Sequence, residues 1–240
     1  MVKRAARKPV RKPAPRSART AASTPQTHRE KIVAAFLVLL EDKPFAAIGF
    51  DEVAKRSSLS LAQVRGEFAS TLAIVTAYVK ATDGAVLAQD MDDMAEEPAR
   101  ERLFDVLMRR LEVLAEQRDA VRSLLRSARS NPPLALALNR LAVRSQQWML
   151  TAAGINASGP QGMIRAQGLA LLFASVLRTW VDDDDPGQAR TMAALDRALA
   201  RGQRAVGLLN DVCSIPGRLC GLRSRRPRRS RGNSEETVAA

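Results

Sequence analysis

Few side chains in this 240-residue sequence are suited to covalent chemistry. The single histidine, His28, closes a basic N-terminal stretch. The chain after it holds no Ser-His or Cys-His pair and no Gly-rich phosphate loop. Cys213 and Cys220 lack CxxC spacing and read as incidental thiols in a reducing compartment. The four carboxylates Asp182 to Asp185 are consecutive, so they cannot all converge on one ion and read as a solvated turn. These features point to a non-enzyme with no cofactor and no metal. What remains is hydrogen-bonding and charge chemistry on one short segment. Ser60, Ala62, Gln63 and Arg65 fall within six residues, with Lys55 and Arg56 just before them and Thr71 just after. A glutamine amide can pair with an adenine edge, and cations and hydroxyls suit phosphate oxygens.

The hydrophobic spacing shows what must hold that segment in place. A first helix is expected over Arg29 to Asp42, with Ile32, Phe36, Leu39 and Leu40 on one face, ended by Lys43-Pro44. Gly49 precedes a short helix over Phe50 to Ser57, with Val53 and Ala54 inward. Ser58-Leu59-Ser60 reads as a turn, and Ser60 as the N-cap of a third helix over Leu61 to Glu67. Val64 and Phe68, four apart, should face the core. A fourth helix from about Ser70 carries Leu72, Val75, Val79 and Val86. Three short helices in about 40 residues, the third behind a Ser-capped turn, make a helix-turn-helix.

Acidic Met91 to Pro98 reads as a hinge to a larger body. Leu103, Leu107, Leu111 and Leu114 lie on one helix face, and Val121, Leu124, Leu125 and Ala128 on another. Asn131-Pro132-Pro133 breaks the chain. Leu134, Leu138, Leu141, Ser145 and Trp148 then share a face, and Gly154 to Gly162 reads as a loop. A helix over Met163 to Asp182 is apolar almost all round from Leu169 to Leu177, so it should be buried on more than one side. That run is far short of the roughly 20 residues of a membrane span. Asp185-Pro186 reads as an N-cap and first helical position. The last helix carries Met192, Leu195, Leu199, Gly202, Val206 and Leu209 at spacings of three or four. No strand alternation appears, so the expected fold class is all-α.

The formal charge of +13 is carried by the ends. Residues 1–28 hold eight Lys or Arg and no acid; residues 215–240 hold seven Arg and two Glu; residues 29–214 balance 23 bases with 23 acids. The expected domains are a disordered basic arm (1–28), the helix-turn-helix head (29–90), the helical body (99–212) and a disordered Arg-rich tail (215–240). The arm is acid-free like an organellar transit peptide, but Pro9, Pro13 and Pro15 interrupt any amphipathic helix, which favours a solvated arm adding sequence-independent phosphate attraction.

The stretch Lys31 to Phe36, Gly49 to Ser60 and Glu67-Phe68 resembles the N-terminal domain of TetR-family regulators over about residues 29–85. Ile32 and Ala35 match its apolar first helix, Gly49 its glycine turn, Val53-Ala54 the pair on its second helix, and Phe68 the aromatic closing its third. Three positions depart from the pattern. Arg65 stands for a Tyr, Glu67 for a basic or aromatic residue, and Thr71 for a phosphate-contacting Lys. The resemblance implies a bacterial cytoplasmic homodimer that binds a double-stranded DNA operator, usually as a repressor, and responds to a ligand.

In that setting Phe104, Met108, Trp148, Met149, Met163, Phe173 and Trp180 would line a pocket for a small apolar ligand. Leu172, Val176, Leu195, Leu199 and Val206 would form the dimer seam. A second resemblance covers about residues 99–205. Arg102 to Leu111, Trp148 to Ile155 and Ala193 to Leu199 are similar to ubiquinone-biosynthesis accessory proteins, which keep the same architecture and include a lipid-binding member. It implies the alternative function of an accessory protein with a degenerate recognition helix.

Overall fold

The computed structural model describes residues 26–89, 94 and 96–204. Most of the expected basic arm, the whole Arg-rich tail, Val206, Leu209, Cys213, Cys220 and half of the expected hinge lie outside the described residues. Those described contain nine α-helices and no strand.

Helix α1 (His28–Asp42) starts one residue earlier than its apolar spacing indicates, because Thr27 caps it. The Thr27 hydroxyl accepts from the Glu30 amide at 3.2 Å, and the Glu30 carboxylate accepts from the Thr27 amide at 2.9 Å. This reciprocal box satisfies two donors that a bare helix start would leave open. After Pro44 the chain makes one 3-10 turn, Phe45–Ala47, and enters α2 (Phe50–Ser57), α3 (Leu61–Glu67) and α4 (Thr71–Leu87). Ile32, Phe36, Leu40, Val53, Val64, Phe68, Ile74 and Val75 form one buried cluster beneath these four helices. Burying each such side chain contributes roughly 1.5–3 kcal/mol.

The body comprises α5 (Ala99–Leu114), α6 (Arg118–Ser130), α7 (Pro132–Ala152), α8 (Gly159–Trp180) and α9 (residues 189–204 of it described). Its core gathers Leu107, Leu111, Met149, Phe173, Trp180 and Leu195. Asn131 caps α7 by accepting from the Leu134 amide at 3.1 Å, and its two prolines occupy the first turn, where no intrahelical donor is required. Residues 159–162, read from sequence as loop, are the first turn of α8. Gly162 lies against the Ala157 carbonyl, and a Cβ there would sit 2.2 Å from that oxygen. The glycine therefore serves close packing rather than a turn.

Asp185-Pro186 does not open α9. Asp185 closes a turn, accepting from the Ala189 amide at 3.1 Å, and Gln188 takes a left-handed φ of 49°. The buried Asp183 holds the start of α9 instead, accepting from the Thr191 amide at 2.8 Å and the Thr191 hydroxyl at 2.6 Å. The Thr191 hydroxyl bond is the main cause holding the Asp183 carboxyl below the usual carboxylate range.

Two ties join head and body. Helix α4 enters both cores, with Ile74 and Val75 in the head cluster and Val86 in the body cluster. On its body half, buried Asp83 pairs with buried Arg110 of α5 and accepts from the Ser145 hydroxyl of α7 at 2.7 Å. Nearby on α4, burial pushes the Tyr78 phenol up to about 12. The second tie runs from the end of α1 to α6. The Ser123 hydroxyl donates to the Lys43 carbonyl at 3.1 Å, the Phe45 amide donates to Ser127 Oγ at 3.0 Å, and Ala120 of α6 belongs to the head cluster.

Removing one member of a buried ion pair strands the other, at a cost of about 3–5 kcal/mol. Asp83→Ala should therefore lower unfolding stability by about that amount in urea melts. Replacing Asp83 and Arg110 together with leucines should recover most of the loss. The lowered carboxyl of Asp183 gives stability present above its unfolded pKa of about 3.9 and lost as pH falls through the folded value. Asp183→Asn should thus melt below wild type at pH 7. That gap should narrow as the pH is taken below about 4.

Candidate nucleic-acid interface

The outward face of α3 is set by what lies beneath it. Val64 is 1% exposed and Phe68 2%, four residues apart, so both point into the head core. The remaining residues of the helix, Leu61, Ala62, Gln63, Arg65, Gly66 and Glu67, are exposed. The turn from α2 passes through Ser58 in the left-handed region (φ 57°, ψ 36°), a conformation that favours glycine. The Leu59 amide donates to the Ala54 carbonyl at 3.0 Å, closing that turn.

Ser60 caps α3 through a reciprocal box with Gln63. Ser60 Oγ accepts from the Gln63 amide at 3.2 Å, and Gln63 Oε1 accepts from the Ser60 amide at 2.8 Å. The Gln63 side chain is thereby tied back to the helix start through one lone pair of its amide oxygen, which leaves the second lone pair and the NH2 for an outside partner. Arg65 and Arg56 are exposed and form no ion pair among the described residues, so both guanidinium groups face outward for an anionic partner. Lys55 is exposed and lies 3.8 Å from Asp51, one helical turn back. Thr71 is half-buried as the first residue of α4, while Ser70 supplies the cap, accepting from the Ala73 amide at 3.1 Å.

Two residues missed at the sequence level complete this face. Arg29 lies 3.9 Å from Glu67, and its guanidinium stacks over the Phe68 ring at 4.6 Å. The carboxylate that has the wrong sign for phosphate is thereby matched by a cation from α1. Leu61 is 56% exposed, a large apolar side chain on an otherwise polar face. Its position four residues before Arg65 would have placed it there. The Arg29–Glu67 pairing spans the head and leaves no local signature.

In the body, five of the seven residues expected around an apolar pocket meet in one core and two lie on the surface. Met149, Phe173 and Trp180 are buried core, with the Arg118 guanidinium 4.8 Å over the Trp180 ring. Phe104 and Met108 are half-buried against that core. Trp148 and Met163 are surface residues, with Gln147 Nε2 donating to Met163 Sδ at 3.0 Å. None of the seven lines either of two open clefts. One, of about 610 Å³, lies between the end of α1 and α6 and is lined by Lys43, Arg122, Arg126 and three serines among others. The other, of about 750 Å³, lies between α8 and α9.

Of the residues expected at a dimer seam, Val176, Leu195 and Leu199 are buried within the chain and Leu172 is half-buried against Gly202. The large apolar side chains these two helices do expose are Met163, Ile164 (60%), Leu171 (59%) and Met192. Among the described residues, no group of three or more His, Cys, Asp or Glu is placed to hold a metal ion. No described helix is long and apolar enough to cross a membrane.

No family model matches the chain, and no curated protein matches it. Among solved structures it is similar to the TetR transcriptional regulator from Nitrosomonas europaea, at 20% identity over 74% of this chain and 99% of that one, with a TM-score of 0.58. It is also similar to a TetR transcriptional regulator from a Rhodococcus species, at 19% identity over 73% of this chain and 94% of that one, with a TM-score of 0.51. At such identities the likeness establishes the fold, an all-helical TetR-like architecture.

Proposed function

We propose that this chain is a DNA-binding transcriptional regulator of TetR type. The observation that carries the reading is the outer face of α3. Val64 and Phe68 anchor that helix from below, Gln63 and Arg65 stand exposed above, and exposed Arg56 flanks them on α2. A short helix held this way can enter a major groove while neighbouring cations meet phosphates. The basic segments 1–28 and 215–240 would add attraction independent of sequence.

The regulator would act as a homodimer, its two α3 helices entering successive grooves about 34 Å apart. Ile164 and Leu171 of α8 with Met192 of α9 are the apolar surface supporting that pairing. They replace the buried Val176, Leu195 and Leu199 as the side chains that would meet a second copy. Ligand-responsive repression is the finer part of the proposal. Its support is α4, which reaches from the head core to the buried Asp83–Arg110 pair. Close by, Arg110 Nε and Gln146 Oε1 are buried without hydrogen-bond partners among the described residues. A molecule that paired with them would shift α4 and so couple to the head.

Gel retardation of the chain's own upstream DNA tests the reading. Arg65→Ala should weaken specific binding by roughly 5- to 150-fold, the effect of losing an arginine–base contact worth about 1–3 kcal/mol. Arg56→Ala should weaken all sequences alike and flatten the salt dependence by about one unit of slope. Binding indifferent to sequence and to Arg65, with isoprenoid lipid co-purifying, would instead favour the lipid-binding accessory role.

A further inference from the structure

The N-terminal end of α1 lies beside the C-terminal end of α3. The Arg29 guanidinium stacks over the Phe68 ring at 4.6 Å and lies 3.9 Å from Glu67, and Thr27, two residues earlier, caps α1. The chain that precedes Thr27 therefore joins the head at the edge of the face read above as the DNA contact. Residues 1–25, outside the described residues, hold eight Lys or Arg and no acid, and the rest are Ala, Pro, Ser, Thr, Val and Met. None of them is aromatic, Leu or Ile, so the segment is slender apart from its cations.

Resting on the DNA-binding reading above, we infer that this basic segment enters the minor groove next to the half-site that α3 reads, with Arg16 and Arg19 meeting the groove floor. The minor groove is about 6 Å wide, enough for an extended chain of small residues but not for a helix. Adjacent major and minor grooves lie about 17 Å apart along the duplex, half of a helical turn of about 34 Å. Extended chain covers at most about 3.5 Å per residue. The eight residues from Thr27 back to Arg19 thus span up to about 28 Å, and the eleven back to Arg16 up to about 38 Å. Both arginines reach the groove with slack, while Lys3 to Lys12 run on to phosphates beyond it. The contact favours A·T pairs for two reasons. A·T tracts narrow the groove and deepen its negative potential, which draws arginine. Guanine places its 2-amino group on the groove floor, a donor from which a guanidinium cannot accept.

The test is selection of sites from a random duplex pool by the full-length chain, followed by exchange of the base pairs flanking the selected half-site. Inosine·cytosine matches guanine·cytosine in the major groove but lacks the 2-amino group, so the two pairs differ only in the minor groove. Wild type should bind A·T and inosine·cytosine flanks alike. It should bind G·C flanks about fivefold more weakly or worse, the lower end of the usual effect of one wrong base pair. The double variant Arg16→Ala/Arg19→Ala should bind all three flanks equally, more weakly than wild type on A·T, and should still lose affinity when the half-site itself is changed. Equal binding of all three flanks by wild type, inosine·cytosine flanks as weak as G·C, or a flank preference that survives the double substitution would overturn this inference and leave the regulator reading standing. A pool with no enriched sequence would overturn both.

Discussion

The burial of Val64 and Phe68 is the constraint from which the functional surface follows. A seven-residue helix has too few internal hydrogen bonds to stand alone in water, so α3 exists because tertiary packing holds it. With those two side chains sealed in the head core, helical geometry leaves Leu61, Ala62, Gln63 and Arg65 pointing out. The capping box at Ser60 fixes the start of the helix and, by the same bonds, ties the Gln63 side chain back towards it. Local stability and recognition chemistry are thus set by one pair of residues.

A head positioned by its own core acts as a regulator only when it is tied to something that can move it. The ties here differ in kind. Helix α4 is joined to the body by a buried charge pair, whereas α1 meets α6 through Ala120 in the head cluster and through serine hydroxyls and main-chain groups beside an open polar cleft. The buried pair tolerates little change in geometry, because separating Asp83 from Arg110 leaves a charge uncompensated.

The all-helical class, the ends of α2 and α3 and the inward side of each were readable from spacing and caps alone. The errors have specific physical causes. Gly162 and the Asp185-Pro186 pair look like punctuation, yet the first is a close-packing glycine inside a helix and the second a turn before one. The three-and-four spacing of Leu195 and Leu199 reads equally well as a seam between subunits or as a helix seated on its own core, and here it is the latter. Bulky residues that looked like a pocket divide between core (Met149, Trp180) and surface (Trp148, Met163), because residue type does not report which way a helix faces. The state of the recognition groups was the least legible part. That the Gln63 carbonyl oxygen accepts from the Ser60 amide, and that Glu67 is answered by Arg29, are facts of three-dimensional geometry.

The central claim, that the exposed side of α3 is what touches DNA, is tested most directly by photo-crosslinking the full-length chain to a duplex of its own upstream region carrying 5-iodouracil, then mapping tryptic peptides by mass spectrometry. Cleavage after Arg56 and Arg65 isolates residues 57–65 as one peptide. The account requires sequence-selective adducts on that peptide, competed by the same unlabelled duplex and not by unrelated DNA. Adducts confined to the helical body or to the basic ends, with peptide 57–65 unmodified, would contradict it.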